Sequence, residues 1–167
     1  EATSGNLTFN QQNISEIDKH TLRSYVRYIP QEPVVFAGTI LDNLLLGSRP
    51  NLSEAEILTA CEIAQIKEDI LKMPLQFQTR LDEHGGILSG GQKQLLGWMR
   101  ALYHNPQFLI LDEPTSSLDK ENRDFIYKLI DKLKDTTIIF IISHHLEDLK
   151  NISTDIYLLK DTRLKII

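Results

Sequence analysis

Two apolar runs constrain the second half of this chain more than anything else in it. Phe108-Leu109-Ile110-Leu111 contains no polar residue, and neither does Ile138-Ile139-Phe140-Ile141-Ile142, which closes a segment opened by Thr136 and Thr137. Both have strand length, and neither alternates with polar residues as a half-exposed strand does. Between them, residues 119–134 place Phe125, Ile126, Leu129, Ile130 and Leu133 at helical spacing. Apolar strands separated by a helix imply an α/β fold with a parallel sheet covered on both faces. Val26 to Ile29, stopped by Pro30, reads as another buried strand of the same kind.

Ligands of open parallel sheets bind beyond the carboxyl ends of the strands. Three strands deliver polar residues to that edge: the first leads to Gln31, the second to Asp112 and Glu113, the third to Ser143 and His144. Adjacent residues point different ways, so Asp112 can hold a divalent cation while Glu113 faces a water. That division of labour suits metal-assisted phosphoanhydride hydrolysis. Gln31 can bond a metal-bound or attacking water, and His144 can donate to a terminal phosphate oxygen.

Upstream, Leu88-Ser89-Gly90-Gly91-Gln92 opens a helix that runs on through Lys93 to Tyr103. Ser89 and Gln92 have capping-box spacing, and the two glycines let the backbone approach a neighbour closely. Amides at such a helix start carry partial positive charge and favour an anion. Thr39 caps a short helix, Ile40 to Leu45, closed by Gly47. A second capping box at Ser53 to Glu56 precedes a stripe of Ile57, Ala60, Cys61 and Ala64, with Cys61 read as core, and a short helix follows near Lys67 to Lys72. Residues 33–104 are thus a mostly helical block. A short strand is expected at Asn6 to Phe9, a helical turn around Ile14, Ile17 and Leu22, and two last strands, Ile156 to Leu159 and Leu164 to Ile167, at the sheet edge.

The 167 residues carry a formal net charge of -5 and no Lys/Arg block, which argues against nucleic acid as a partner. One cysteine excludes an internal disulfide, and no apolar run approaches a membrane span.

Taken together, these motifs resemble the nucleotide-binding domain of ATP-binding cassette (ABC) transporters. Leu88 to Gln92 is similar to the family signature motif, Phe108 to Glu113 to the Walker B strand with its catalytic glutamate, and Ser116-Ser117-Leu118-Asp119 to the D-loop. Gln31 matches the Q-loop glutamine and His144 the switch histidine. The resemblance implies a P-loop NTPase-like ATPase domain with an inserted helical subdomain. Its parts would be ATPase core with Q-loop at 1–32, helical subdomain with signature at 33–104, and core with Walker B, D-loop and switch histidine at 105–167. It also implies ATP as substrate and Mg²⁺ held by Asp112 and Gln31. Glu113 would polarise the attacking water and His144 would steady the γ-phosphate. Leu88, Ser89, Gly90, Gly91 and Gln92 would close on an ATP held mainly by a second, facing nucleotide-binding domain in a head-to-tail dimer. His145 is read as a surface residue, Trp98 and Met99 as packing, and Arg100 as support for the fold or nearby loops.

Residues 79–85, Thr-Arg-Leu-Asp-Glu-His-Gly, resemble the loop that exporters place before the signature, with Glu83 kept and Asp82 in place of the usual Gly. Glu83 would touch the helices that couple ATP closure to a transmembrane domain. Residues 28–33 and 36–47 resemble bacterial bacteriocin and quorum-peptide exporters, some of which carry a leader-trimming peptidase domain. The implied location is the cytoplasmic face of a bacterial plasma membrane, with membrane contact only through the transmembrane domain. Two features depart from the pattern. Gly97 interrupts the signature helix at a cost of roughly 1 kcal/mol relative to Ala. No Gly-x-x-x-x-Gly-Lys-Ser/Thr loop occurs in the sequence. The expectation is a fragment whose phosphate loop (Walker A) precedes Glu1. The competing readings are a soluble ABC ATPase of the DNA-repair or chromosome class, and a non-catalytic remnant.

Overall fold

The computed structural model describes residues 4–46, 55, 57–58, 67–103 and 105–167. Of the stretch from Ser53 to Ala64, only Ala55, Ile57 and Leu58 fall among these, and they are helical; its capping box, Cys61 and the closing Gly47 lie outside the described residues.

A hairpin of β1 (Thr8–Phe9) and β2 (Gln12–Asn13) comes first, turned by Asn10 and Gln11 at φ 49° and 67°. Two successive positive φ values are what a tight hairpin turn demands, and Asn tolerates them. A 3₁₀ turn at Ile14–Glu16 and helix α1 (Lys19–Tyr25), capped by the Asp18 carboxylate, lead into β3 (Val26–Ile29). After the Gln31 bend come β4 (Gly38–Thr39), α2 (Ile40–Leu45), α3 (Lys67–Leu71), a 3₁₀ turn at Gln76–Gln78 and β5 (Arg80–Leu81). Thr39 and Asp42 form the capping box of α2. The pairing of β4 with β5, which no periodicity announced, ties the residues after the Q-loop to the loop before the signature. Then follow α4 (Gly90–Leu102), β6 (Phe108–Asp112), α5 (Lys120–Leu133), β7 (Ile138–Ile142), α6 (Leu146–Leu149), β8 (Tyr157–Lys160) and β9 (Arg163–Ile166).

The central sheet is parallel, in the order β3-β6-β7, with Ile29, Leu111 and Ile141 in register. One face is sealed. Ile29, Leu109 and Leu111 are at most 1% exposed and join Leu95, Leu96, Trp98 and Met99 of α4 and Ile126 and Ile130 of α5 in one core. The other face is open among the described residues: Ile138 and Phe140 are 67% and 52% exposed, and Tyr28 and Ile142 are exposed beside them. Both large described helices lie on the sealed face. The last two strands differ from expectation. β8 and β9 pair only with each other, around Asp161 and Thr162 at φ 49° and 62°, and form a separate exposed hairpin instead of extending the sheet.

Gly97, which looked like a defect in α4, has a packing reason. A Cβ built on it would lie 2.8 and 2.9 Å from the Pro33 ring. The helix backbone at Gly97 therefore abuts the Pro33 ring. Arg100, one turn on, donates to the carbonyls of Val34 and Asn43 and to the Asn43 side-chain oxygen. Burial lowers its guanidinium to about 10, still charged near neutrality. In the intact protein, Gly97→Ala should lower the domain's thermal midpoint. The helix gains about 1 kcal/mol from Ala, but overpacking against a rigid ring costs about 1–3 kcal/mol. A raised midpoint would refute the close approach.

Candidate active site

The site is built at the carboxyl ends of β6 and β7. The Glu113 amide donates to the Ile142 carbonyl at 2.9 Å, continuing the ladder one residue past β6. Its φ of 46° then turns the side chain toward the end of β7. A glutamate in the left-handed region is uncommon, and such strain clusters where a side chain must be aimed. Glu113 Oε1 accepts from the His144 amide at 2.8 Å and from His144 Nδ1 at 2.6 Å, while Oε2 accepts from the Ser143 hydroxyl at 3.2 Å. Ser143 in turn accepts from the His145 amide at 3.1 Å.

These bonds decide the protonation state of Glu113. Its side chain is 13% exposed, and burial pushes the carboxyl up. The His144 side-chain and backbone bonds, the His144 charge and the Ser143 hydroxyl together outweigh burial and hold it below its ordinary value. The carboxylate is thus ionised at neutral pH. Three of its roughly four acceptor positions are used, which leaves room for one water. With Nδ1 donating to Glu113, the other nitrogen of His144 can donate to a phosphate oxygen only when the ring carries both protons. The His145 ring lies 4.0 Å from that of His144 and is exposed, as expected of a surface residue.

Asp112 points elsewhere, as the alternation along β6 requires. Its Oδ2 accepts from the Tyr28 hydroxyl at 3.0 Å on the open face of the sheet. That bond raises the Tyr28 pKa above its ordinary value. Tyr28 was not foreseen as part of the site, although its register opposite Ile110 puts it two residues from Asp112 on the same face. Gln31 is exposed, two residues beyond Ile29, which pairs with Leu111. It therefore stands at the level of Glu113, and no bond joins it to Asp112 among the described residues.

The signature stretch forms the start of α4. Ser89 accepts from the Gln92 amide at 3.2 Å, and Gln92 Oε1 accepts from the Ser89 amide at 2.9 Å. Gln92 Nε2 is also committed, to Asp69 at 3.1 Å. Gln92 is therefore a cap and a tether. The amides of Gly90 and Gly91 have no acceptor among the described residues, as befits the first turn of a helix. Leu88 is buried beneath them. A Cβ on Gly91 would lie 3.4 Å from the Ser117 carbonyl oxygen, so the 116–119 segment packs against the helix start. Asp119, three residues on, caps α5 by accepting from the Asn122 amide at 2.9 Å.

Glu83 is brought to neither cluster. It is exposed on the loop after β5, and Asp82 shapes that loop by accepting from the amides of His84 at 2.9 Å and Gly86 at 3.0 Å. The Gly86 bond first, then the His84 bond, lowers the Asp82 carboxyl. Lys93 of α4 donates to the His84 carbonyl, and Gly85, at φ 58°, abuts Val35. Two further residues of the site, besides Tyr28, escaped sequence reasoning. Gln94 is fully buried and bonds both the Glu113 carbonyl and the Ser117 amide. Trp98 Nε1 donates to the Pro114 carbonyl at 3.3 Å. The available signal was a glutamine on the apolar face of α4, where a polar side chain must find partners.

With this geometry in place, comparison with known proteins is informative. The ABC transporter family profile matches residues 1–116. A pediocin PA-1 transport/processing ATP-binding protein of Pediococcus acidilactici is 47% identical over 137 residues, covering 82% of this chain and 19% of that protein. A lactococcin-A transport/processing ATP-binding protein of Lactococcus lactis subsp. lactis is 48% identical over 139 residues, with 83% and 19% covered. A transport/processing ATP-binding protein of Streptococcus pneumoniae is 46% identical over 139 residues, with 82% and 19% covered. The chain thus spans about a fifth of the length of these relatives. A bacterial Atm1-family ABC exporter solved with ATP bound superimposes with a TM-score of 0.89 at 31% identity, over 97% of this chain and 28% of that one. The chain belongs to the ABC transporter family and has the fold of its ATPase domain.

Proposed function

We propose that this chain is the ATP-hydrolysing part of an exporter that drives a peptide across a membrane. The observation that carries the reading is the Glu113 carboxylate, held ionised between Ser143 and His144 at the carboxyl edge of a parallel sheet. A carboxylate so placed can take a proton from a water attacking a phosphate. His144 orients it and, when doubly protonated, reaches the terminal phosphate.

The Asp112 carboxylate and the Gln31 amide oxygen are the hard oxygen donors Mg²⁺ takes, and both are accessible at the ends of adjacent strands. These two residues would hold the ion, which would supply neutralisation of phosphate charge. The free amides of Gly90 and Gly91, with the Ser89 hydroxyl, suit the γ-phosphate of an ATP carried by a second nucleotide-binding domain. The working unit would then be a head-to-tail pair, with Asp119 and its neighbours near the seam. Exposed Glu83, on a loop tied to α4 and Val35, would meet the transmembrane domain. The helical block of residues 33–104 would carry both contacts, while 1–32 and 105–167 carry the hydrolytic edge. The ATPase would sit on the cytoplasmic face of a bacterial membrane.

Peptide cargo is supported by the names of the relatives, which concern pediocin and lactococcin. The test is ATP-driven accumulation of a leader-bearing bacteriocin precursor in inverted vesicles containing the intact protein. ATP-dependent uptake well above an ADP control is expected. Robust ATPase activity with no peptide uptake would overturn the cargo and leave the ATPase.

A further inference from the structure

Among the described residues, Gln94 is the one that bonds both the turn carrying Glu113 and the segment that faces the signature glycines. It lies on the inner face of α4 and is fully buried. Its Nε2 donates to the Glu113 carbonyl and its Oε1 accepts from the Ser117 amide, each at 3.1 Å. A carbonyl can only accept and an amide N–H can only donate, so these partners fix the orientation of the Gln94 amide without ambiguity. The Glu113 carbonyl also accepts from Ser116 N at 3.2 Å, which fills both of its lone pairs. Glu113 sits at φ 46°, a conformation that persists only where the surroundings hold it. Its amide is held by Ile142 and its carbonyl by Gln94 and Ser116. Of these, Gln94 is the only side chain.

We propose that Gln94 is a positioning residue for hydrolysis. By holding the Glu113 carbonyl it keeps the backbone turn that aims the carboxylate at His144 and Ser143. By holding the Ser117 amide it keeps that turn in register with the segment against Gly90 and Gly91. This rests on the reading of Glu113 as the base. It also makes α4 a shared part: its first turn serves the partner's ATP, and its inner face sets the base of its own site.

A satisfied buried glutamine could instead be purely structural, so the test must separate the two roles. Gln94→Glu keeps size and the acceptor for Ser117 but sets an oxygen against the Glu113 carbonyl. Gln94→Leu removes both bonds at similar volume. In the intact transporter, each should lower kcat at least ~10-fold with KM for ATP within ~3-fold, the pattern of a lost transition-state interaction. Added to Glu113→Gln, Gln94→Leu should change the residual rate less than ~2-fold, since the group it acts through is already gone. A kcat within ~2-fold of wild type, the same fractional loss in both backgrounds, or loss of ATP binding in both variants would overturn the proposal; where only one variant binds ATP, that one decides. Full activity of Glu113→Gln alone would instead remove Glu113 from its role, a different failure read from a different protein.

Discussion

Replacing Glu113 by Gln in the intact protein should slow ATP hydrolysis at least ~10²-fold, about 2.7 kcal/mol in barrier, while ATP still draws the two domains together. The substitution preserves shape and one acceptor oxygen, so Ser143 or the His144 amide keeps a partner. What goes is the negative charge that can take a proton. The amides of Gly90 and Gly91, proposed to meet the phosphate, are untouched, so closure on ATP should survive and the variant should accumulate as a nucleotide-loaded dimer. Single-turnover hydrolysis and sizing in ATP would show both effects. Hydrolysis within a few-fold of wild type would assign the base elsewhere. The pH behaviour adds a constraint. Because its bonds hold the Glu113 carboxyl below its ordinary value, it binds its proton only under more acidic conditions than a free glutamate. The base is therefore fully ionised at pH 6 and above, and any fall in rate between pH 8 and 6 must come from another group.

Glu113 also shows where sequence reasoning is strong. A strand of four apolar residues followed by two carboxylates could be read as a sheet edge whose carboxylates point to different partners, because strand alternation alone sends the two side chains apart. Ser89 and Gln92 were legible for a similar reason: capping boxes are local, and their spacing is written in four residues. The turn at Glu113 was not legible, since its φ of 46° is held by Ile142 and Gln94 from other parts of the chain as well as by nearby Ser116. Tyr28, 84 positions from the Asp112 it bonds, is visible only once the register of β3 on β6 is known. Composition misled in one place. The last two strands had the right length and composition for the sheet edge, but Asp161 and Thr162 make a two-residue turn that pairs them with each other. Gly97 is the reverse case: local propensity marks it as a weakness, and only tertiary contact with Pro33 shows why the helix needs it.

The largest stability effect should come from Trp98→Ala. Trp98 is fully buried at the centre of α4, in the core shared by the helix and the sheet. Emptying a site of that size costs about 3–5 kcal/mol, because the surroundings collapse only in part. For a domain of this size that corresponds to a fall of roughly 10 °C in the thermal midpoint, read in the intact protein by loss of ATP binding on heating. Trp98→Phe separates packing from hydrogen bonding. It retains most of the apolar volume but strips the Pro114 carbonyl of its indole donor, at a cost of about 1 kcal/mol. If the indole bond helps hold the segment after Glu113, the Phe variant should lose catalytic rate out of proportion to its small loss of stability. If Trp98 is packing alone, rate and midpoint should both stay near wild type. Pro114 follows Glu113 directly, and Gln94 and Trp98 are successive residues on one face of α4. The helix therefore clamps the catalytic turn at two adjacent carbonyls, one through a side-chain amide and one through an indole. Rotation of α4 by even a fraction of its pitch would disturb both bonds together. If the start of that same helix binds the partner's nucleotide, as proposed, any such rotation would link binding there to the turn that aims Glu113.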